Sequence, residues 1–237
     1  MSDPLPGGLE PGDAPAGLKS ASEVLEFWLG DMERYTTDPE YKAVKDKQWW
    51  AGKDEEFNDV QMASADLISA ASSGKLTGEE WESPAGTLAR IIILDQFPRT
   101  VSRGTREAFA GDEKAAALSL SFVSEGWDES LATLTEKHFC YMPLMHSEKL
   151  ELQDKCVECL TRLVEANVED TASGKYARFI LDFAKEHRDI VKRFGRFPHR
   201  NALLGRVSTE EEEAWLSSDD LPEFAKSQMT PQPSATA

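Results

Sequence analysis

Two short segments concentrate the residues able to do chemistry. The first is Asp95-Gln96-Phe97-Pro98-Arg99, running on to Arg103-Gly104. The second is Phe194-Gly195-Arg196-Phe197-Pro198-His199-Arg200-Asn201, running on to Gly205-Arg206. Each leaves an apolar helical pattern through Phe-Pro and enters arginines. Residues 187–206 hold six Lys/Arg against one Asp, and residues 90–106 hold four Arg against one Asp, in a chain of net charge −17. Positive charge kept in two places against an acidic background implies a site for something anionic.

Arg99, Arg103, Arg200 and Arg206 could together bind phosphate or carboxylate, because the planar guanidinium meets either in a two-pronged hydrogen bond. They could equally satisfy the last carbonyls of helices that end just before them. Asp95 falls on the apolar stripe of Leu88, Ile91 and Ile92 at helical spacing. A carboxylate there must be paired or neutralised, so Asp95 is either a base or ligand-orienting group or one half of an anchoring salt bridge. The two segments are expected to meet, with Asp95 paired to an Arg or His of the second.

His187 shares the stripe of the longest helix and is either a satisfied core histidine or an imidazole tuned by Asp95 or Glu148. His199 and Asn201 lie in a turn where ligand contacts concentrate. His146-Ser147-Glu148 supplies either an acid/base pair or a helix cap with a solvent-facing Glu. The catalytic candidates are therefore Asp95, His187, His146 and Glu148. The ligand-binding candidates are Arg99, Arg103, His199, Arg200, Asn201 and Arg206.

Nothing calls for a metal or another cofactor. The four histidines lack His-Glu-x-x-His spacing, and no phosphate loop, nucleophile elbow or dinucleotide fingerprint occurs. Cys156 and Cys159 read as buried thiols within a helix. An odd number of cysteines, three, suits a reducing compartment rather than a disulfide framework. With no signal-peptide pattern and no apolar run of about 20 residues, a soluble cytoplasmic protein is expected. The acidic balance argues against nucleic acid or an anionic membrane as partner.

These residues must be held by helices. Apolar residues recur at helical spacing through nearly every long segment, and no strand alternation is convincing. The strongest pattern is Tyr176, Phe179, Ile180, Phe183, His187, Ile190, Val191 and Phe194, stopped by Gly195. Ser83-Pro84 starts another helix as cap and first residue. The helix from Leu131 to Met145 is expected to break at Pro143. A capping box at Ser208 to Glu211 precedes a last short helix with Trp215. The fold class is all-α, with short turns implying antiparallel helix pairs. Residues 20–217 form one domain, between polar, Pro-rich tails at 1–19 and 218–237 that are expected to be disordered.

A resemblance joins these signatures. Val24 to Trp28, Leu94 to Arg99, Arg103-Gly104-Thr105, Ala108-Phe109-Ala110, Tyr141 to Glu148 and Phe194 to Asn201 together resemble domain of unknown function family 924. The resemblance implies a tetratricopeptide-like helical bundle or superhelix and no established activity. Thr100 stands where the family usually has Asn, and Arg106 where Pro or Ala is more usual.

Two functions follow as expectations. The first is a polar Arg/His/Asp pocket for a small anion, with acid/base chemistry as an extension. The alternative is a helical scaffold that grips an acidic or C-terminal peptide through the same arginines.

Overall fold

In the computed structural model, residues 17–51 and 55–229 are described, and within them the regular structure is entirely helical. The elements are α1 (Ala21–Trp28), α2 (Met32–Thr37), α3 (Pro39–Asp46), α4 (Glu55–Ala63), α5 (Ala65–Ser72), α6 (Glu79–Glu82), α7 (Pro84–Asp95) and α8 (Phe97–Val101). They continue with α9 (Asp112–Ser124), α10 (Leu134–His146), α11 (Leu150–Glu165), α12 (Ala172–Phe194), α13 (Asn201–Leu204), α14 (Glu210–Leu216) and α15 (Glu223–Met229). A π-helical turn, Lys47–Ala51, follows α3, and 3-10 turns lie at Arg106–Phe109 and Pro198–Arg200.

Two helices form the centre because their sequences are apolar on every side. In α7 every residue from Gly86 to Leu94 except Arg90 is buried, and in α10 His138 to Met145 are buried. A helix with no polar face must be surrounded. Helix α7 accordingly packs on α1, α5, α6, α9 and α10. The amphipathic pair α11 and α12 closes over α10. Rings of Phe27, Trp28, Phe97, Phe139 and Trp49 meet edge-on or tilted, with centroids 5.3–6.2 Å apart, the arrangement favoured by their quadrupoles.

The local signals act as their chemistry requires. Ser83 Oγ accepts from Gly86 N at the start of α7, with Pro84 at the first helical position. Gly195 ends α12 at φ +71°, a left-handed conformation in which a side chain is strained. Helix α10 runs through Pro143 without interruption, so the expected break does not occur. The residue falls in the last turn, and its flanks are held by the core. The capping box of α14 is Thr209 with Glu212, one residue later than expected.

The expected C-terminal boundary at 217 also moves. The chain folds back as α15, burying Leu221 and Ala225 beside Ile190, Val191, Phe197 and Trp215. Seven residues carry too short an apolar pattern to read as a helix alone; packing supplies the stability. Residues 1–16 and 230–237 of the expected tails lie outside the described residues, whereas Leu18 is anchored by its N–H to Ser64 Oγ at 2.9 Å. No helix among the described residues is long and apolar enough to cross a membrane.

Candidate functional site

The C-terminal ends of α7 and α10 meet. Asp95, the last residue of α7, is 1% exposed. His146, the last of α10, donates from Nδ1 to Asp95 Oδ1 at 2.8 Å. Arg99 Nη1 lies 3.2 Å from the same carboxylate, and Gln96 Nε2 donates to its other oxygen. Burial pushes the Asp95 carboxyl up, but Arg99 and then His146 outweigh it and hold Asp95 ionised, at about 2. The partner of Asp95 is thus Arg99 of its own segment together with His146, not a residue of the second segment as expected.

Asp112 joins the segments. A Cβ on Gly111 would come within 2.0 Å of the Leu94 carbonyl oxygen, so α9 starts against the end of α7 only because residue 111 lacks one. That contact sets the next residue, Asp112, between two arginines. Arg99 binds it with both terminal nitrogens, at 2.8 and 3.0 Å, and Arg200 Nη1 binds it at 3.0 Å. Sequence reasoning missed Asp112, since an acidic residue in the first turn of a helix ordinarily answers the helix dipole. The Gly-Asp pair at a helix start was the available signal.

The arginines do cap helices. Arg99 Nη1 donates to the Asp95 carbonyl at 2.6 Å, and Arg200 Nη1 to the His146 carbonyl at 3.1 Å. Arg200 is 4% exposed and sandwiched by Phe109 and Phe197, 4.6 and 4.4 Å from their ring centroids. Burial pulls its pKa down to about 10, with Asp112 opposing, which leaves it charged at neutral pH.

Arg103 differs. It is half-buried and makes no hydrogen bond or ion pair among the described residues. Burial, then the charge of Arg99, lower its pKa. The Nε atoms of Arg99, Arg103 and Arg200 are all buried without a hydrogen-bond partner. Arg99 and Arg200 meet the carboxylates Asp95 and Asp112, and Arg103 adds a third cation beside Arg99 without a carboxylate of its own among the described residues.

Arg206 belongs to a different cluster. It grips Glu148 at 2.6 and 2.9 Å, the Phe197 carbonyl at 3.0 Å and Asn201 Oδ1 at 2.9 Å. Glu148 also accepts from Phe197 N at 2.8 Å. Burial pushes the Glu148 carboxyl up, yet Arg206 prevails and lowers it. Glu148 therefore fixes the 197–206 turn and forms no acid/base pair with His146. Asn201 is buried and spans Ser208 and Glu212, while Arg196 holds Glu212 at 2.6 and 2.7 Å. That pairing takes up the carboxylate of the acidic α14 start nearest the site.

Two histidines sit deeper than a ligand-facing position requires. His187 donates from Nδ1 to the Phe183 carbonyl at 2.9 Å and stacks on Phe224 at 3.8 Å. His199 is 3% exposed, with the Gln228 side chain beside its ring; burial and then Arg200 hold it at about 3. His199 was expected in an exposed turn; α15 covers it, with Phe224 edge-on at 5.8 Å. Arg106 is exposed, so the extra charge lies at the surface, and Thr100 is half-buried on α8. Cys140, Cys156 and Cys159 are buried free thiols whose pKa burial raises.

Three of the segments that carry the resemblance occupy these clusters, at the ends of α7 and α10 and in the braced 194–201 turn, while Val24 to Trp28 lies on α1 in the apolar core. The family described as "Bacterial protein of unknown function (DUF924)" matches residues 24–220. The chain belongs to that family. Among solved structures it is similar to the protein of unknown function ATU0120 from Agrobacterium tumefaciens. The identity is 31%, covering 83% of this chain and 96% of that one, with a TM-score of 0.65. No curated protein matches the chain significantly.

Proposed function

We propose that this DUF924 protein binds a small oxyanion, a phosphate or a carboxylate, against Arg99, Arg103 and Arg200, and that His146 serves as proton acceptor toward the bound molecule. The observation that carries the reading is Arg103, a half-buried guanidinium without an acceptor among the described residues, beside Arg99, whose Nε atom, like that of Arg200, is also unpartnered. A buried donor without a partner costs about 1–3 kcal/mol, more when charged. An oxyanion removes that cost and balances the excess cation. Arg206, expected to be a fourth anion contact, is already held by Glu148 and is left out.

The acid/base part rests on an oriented imidazole. With Nδ1–H committed to Asp95, the lone pair of His146 lies on Nε2, which has no hydrogen-bond partner among the described residues. Burial and then Arg99 keep the ring neutral by lowering its pKa against the pull of Asp95. A neutral imidazole held by a carboxylate is suited to accept a proton. The peptide-gripping alternative on a tetratricopeptide-like scaffold needs arginines on an open groove. Burial of Arg99 and Arg200 weighs against it.

The test is thermal shift with inorganic phosphate, pyrophosphate and citrate, on wild type and Arg103→Ala. An anion at about 100 times its dissociation constant stabilises by about 2.7 kcal/mol. Arg103→Ala should melt no lower than wild type without ligand and bind roughly ten- to a hundredfold more weakly, the loss of one charge-assisted contact of about 1.5–3 kcal/mol. An undiminished ligand shift in Arg103→Ala would overturn the reading.

A further inference from the structure

A cleft lies at the opposite end of α10 from His146. It has a volume of about 1150 Å³ and opens between the α2–α3 region and the first turns of α10 and α12. Small-molecule sites typically run to roughly 300–1,000 Å³ and are mostly apolar with a few placed polar groups. The rings of Tyr35, Trp50, Tyr176 and Phe179 line this cleft, with Leu131 and Leu163 among its aliphatic residues. Trp50 and Phe179 are 49% and 63% exposed, large apolar side chains left in water at the cleft walls. Trp50 and Tyr176 each lie within 6 Å of His138, with centroids at 5.9 and 5.8 Å. They therefore flank one point of the wall.

The charged residues of the cleft are three lysines and one aspartate, in a chain of net charge −17. Lys42 is paired with Asp46, whose other oxygen takes the Tyr35 hydroxyl at 2.8 Å. That aspartate is thereby occupied. The ammonium of Lys137, in the first turn of α10, makes no hydrogen bond or ion pair among the described residues. Its neighbour Glu136 is committed to the capping box, accepting from Thr133 N and Oγ1 at 2.7 and 2.8 Å. An apolar, ring-lined cavity with one uncompensated ammonium fits a molecule with an apolar body and a single negative head.

We infer that this cleft binds an amphipathic monocarboxylate, its apolar body against Trp50, Tyr176 and Phe179 and its carboxylate at Lys137. The acyl and aryl forms share this chemistry, and dodecanoate and 2-naphthoate distinguish them. The site is separate from the arginine cluster, so inorganic phosphate should not compete for it.

The experiment is displacement of 1-anilinonaphthalene-8-sulfonate fluorescence from the full chain by dodecanoate, 2-naphthoate and dodecanol. Saturable displacement is expected for at least one carboxylate, with dodecanol at least tenfold weaker. Lys137→Glu should weaken the carboxylate tenfold or more and leave dodecanol unchanged. The pair Trp50→Ala and Phe179→Ala should weaken both. All three side chains lie at the cleft surface, and an unchanged melting temperature certifies that each variant is folded. Absence of saturable displacement by either carboxylate overturns the inference. So does carboxylate affinity that survives Lys137→Glu in the folded variant. Equal affinity for dodecanol refutes the anionic head.

Discussion

Asp112 is the residue on which the arginine cluster turns. It binds Arg99 and Arg200 at once, and both guanidiniums also close helix ends. Removing one partner of a buried ion pair typically costs about 3–5 kcal/mol, because the other charge is left uncompensated. Asp112→Asn keeps the shape and removes the charge, so its melting temperature should fall, by about 2–4 °C per kcal/mol in a chain of this size. The same substitution raises the local positive charge. Phosphate should therefore stabilise Asp112→Asn more than wild type, and a smaller shift would contradict the proposed anion site. Asp95 was legible in the sequence because its helical register left no solvent-facing alternative. Asp112 was not, nor was the pairing of Glu148 with Arg206. The first looks like any first-turn acid, and the partners of the second lie 58 residues apart in sequence. Only the chain path decides which carboxylate meets which arginine.

At the scale of elements, what was legible followed local periodicity. Helix α12 runs on a continuous apolar stripe into a glycine, and α7 carries its own start signal and an apolar body, so both could be placed. The apolar pattern from Phe57 to Ala71 looks continuous in the sequence, but the helix is interrupted at Ser64, where α4 ends and α5 begins. The Ser64 hydroxyl donates to the Val60 carbonyl at 2.7 Å and accepts from the Leu18 N–H at 2.9 Å, so a distant segment braces the break. Helix α15 was read as tail because its apolar residues are few, and its role is visible only in its contacts. Phe224 stacks on His187, meets Phe183 at 5.3 Å and stands beside His199. Phe224→Ala should admit water to both rings. Their pKa values, held down first by burial, should rise toward the ordinary value of about 6.5. Proton NMR titration of the histidine ring signals measures this. If neither signal moves upward, α15 is not what keeps these rings dry.

The molecule buries three of its four histidines, His138, His187 and His199, and half-buries the fourth, His146. In all four, burial is the leading cause of a lowered pKa, reaching about 3 for His138 and for His199. The sign of the consequence is fixed by linkage. A folded-state pKa below the unfolded value means that the unfolded chain takes up protons first, so stability is lost as pH falls below about 6.5. Each neutral ring contributes up to about 1.4 kcal/mol per pH unit, so His138 and His199, both held at about 3, together cost about 3 kcal/mol at pH 5.5, a sizeable part of the margin of a small domain. Asp95 and Glu212, both held at about 2, lose their contributions only below the ordinary carboxylate range, near pH 4 and lower. An opposing effect comes from net charge. At −17 the chain repels itself, and protonation relieves part of that strain. Surface carboxylates, however, titrate mainly around pH 4, so between pH 7 and 5 the histidines dominate. The melting temperature should therefore fall steadily from pH 7 to pH 5, with proton uptake on unfolding measurable as a buffer-dependent calorimetric enthalpy. A flat or rising melting temperature over that interval would show that the imidazoles are already protonated in the folded state, and would remove the neutral His146 on which the acid/base reading of the site depends.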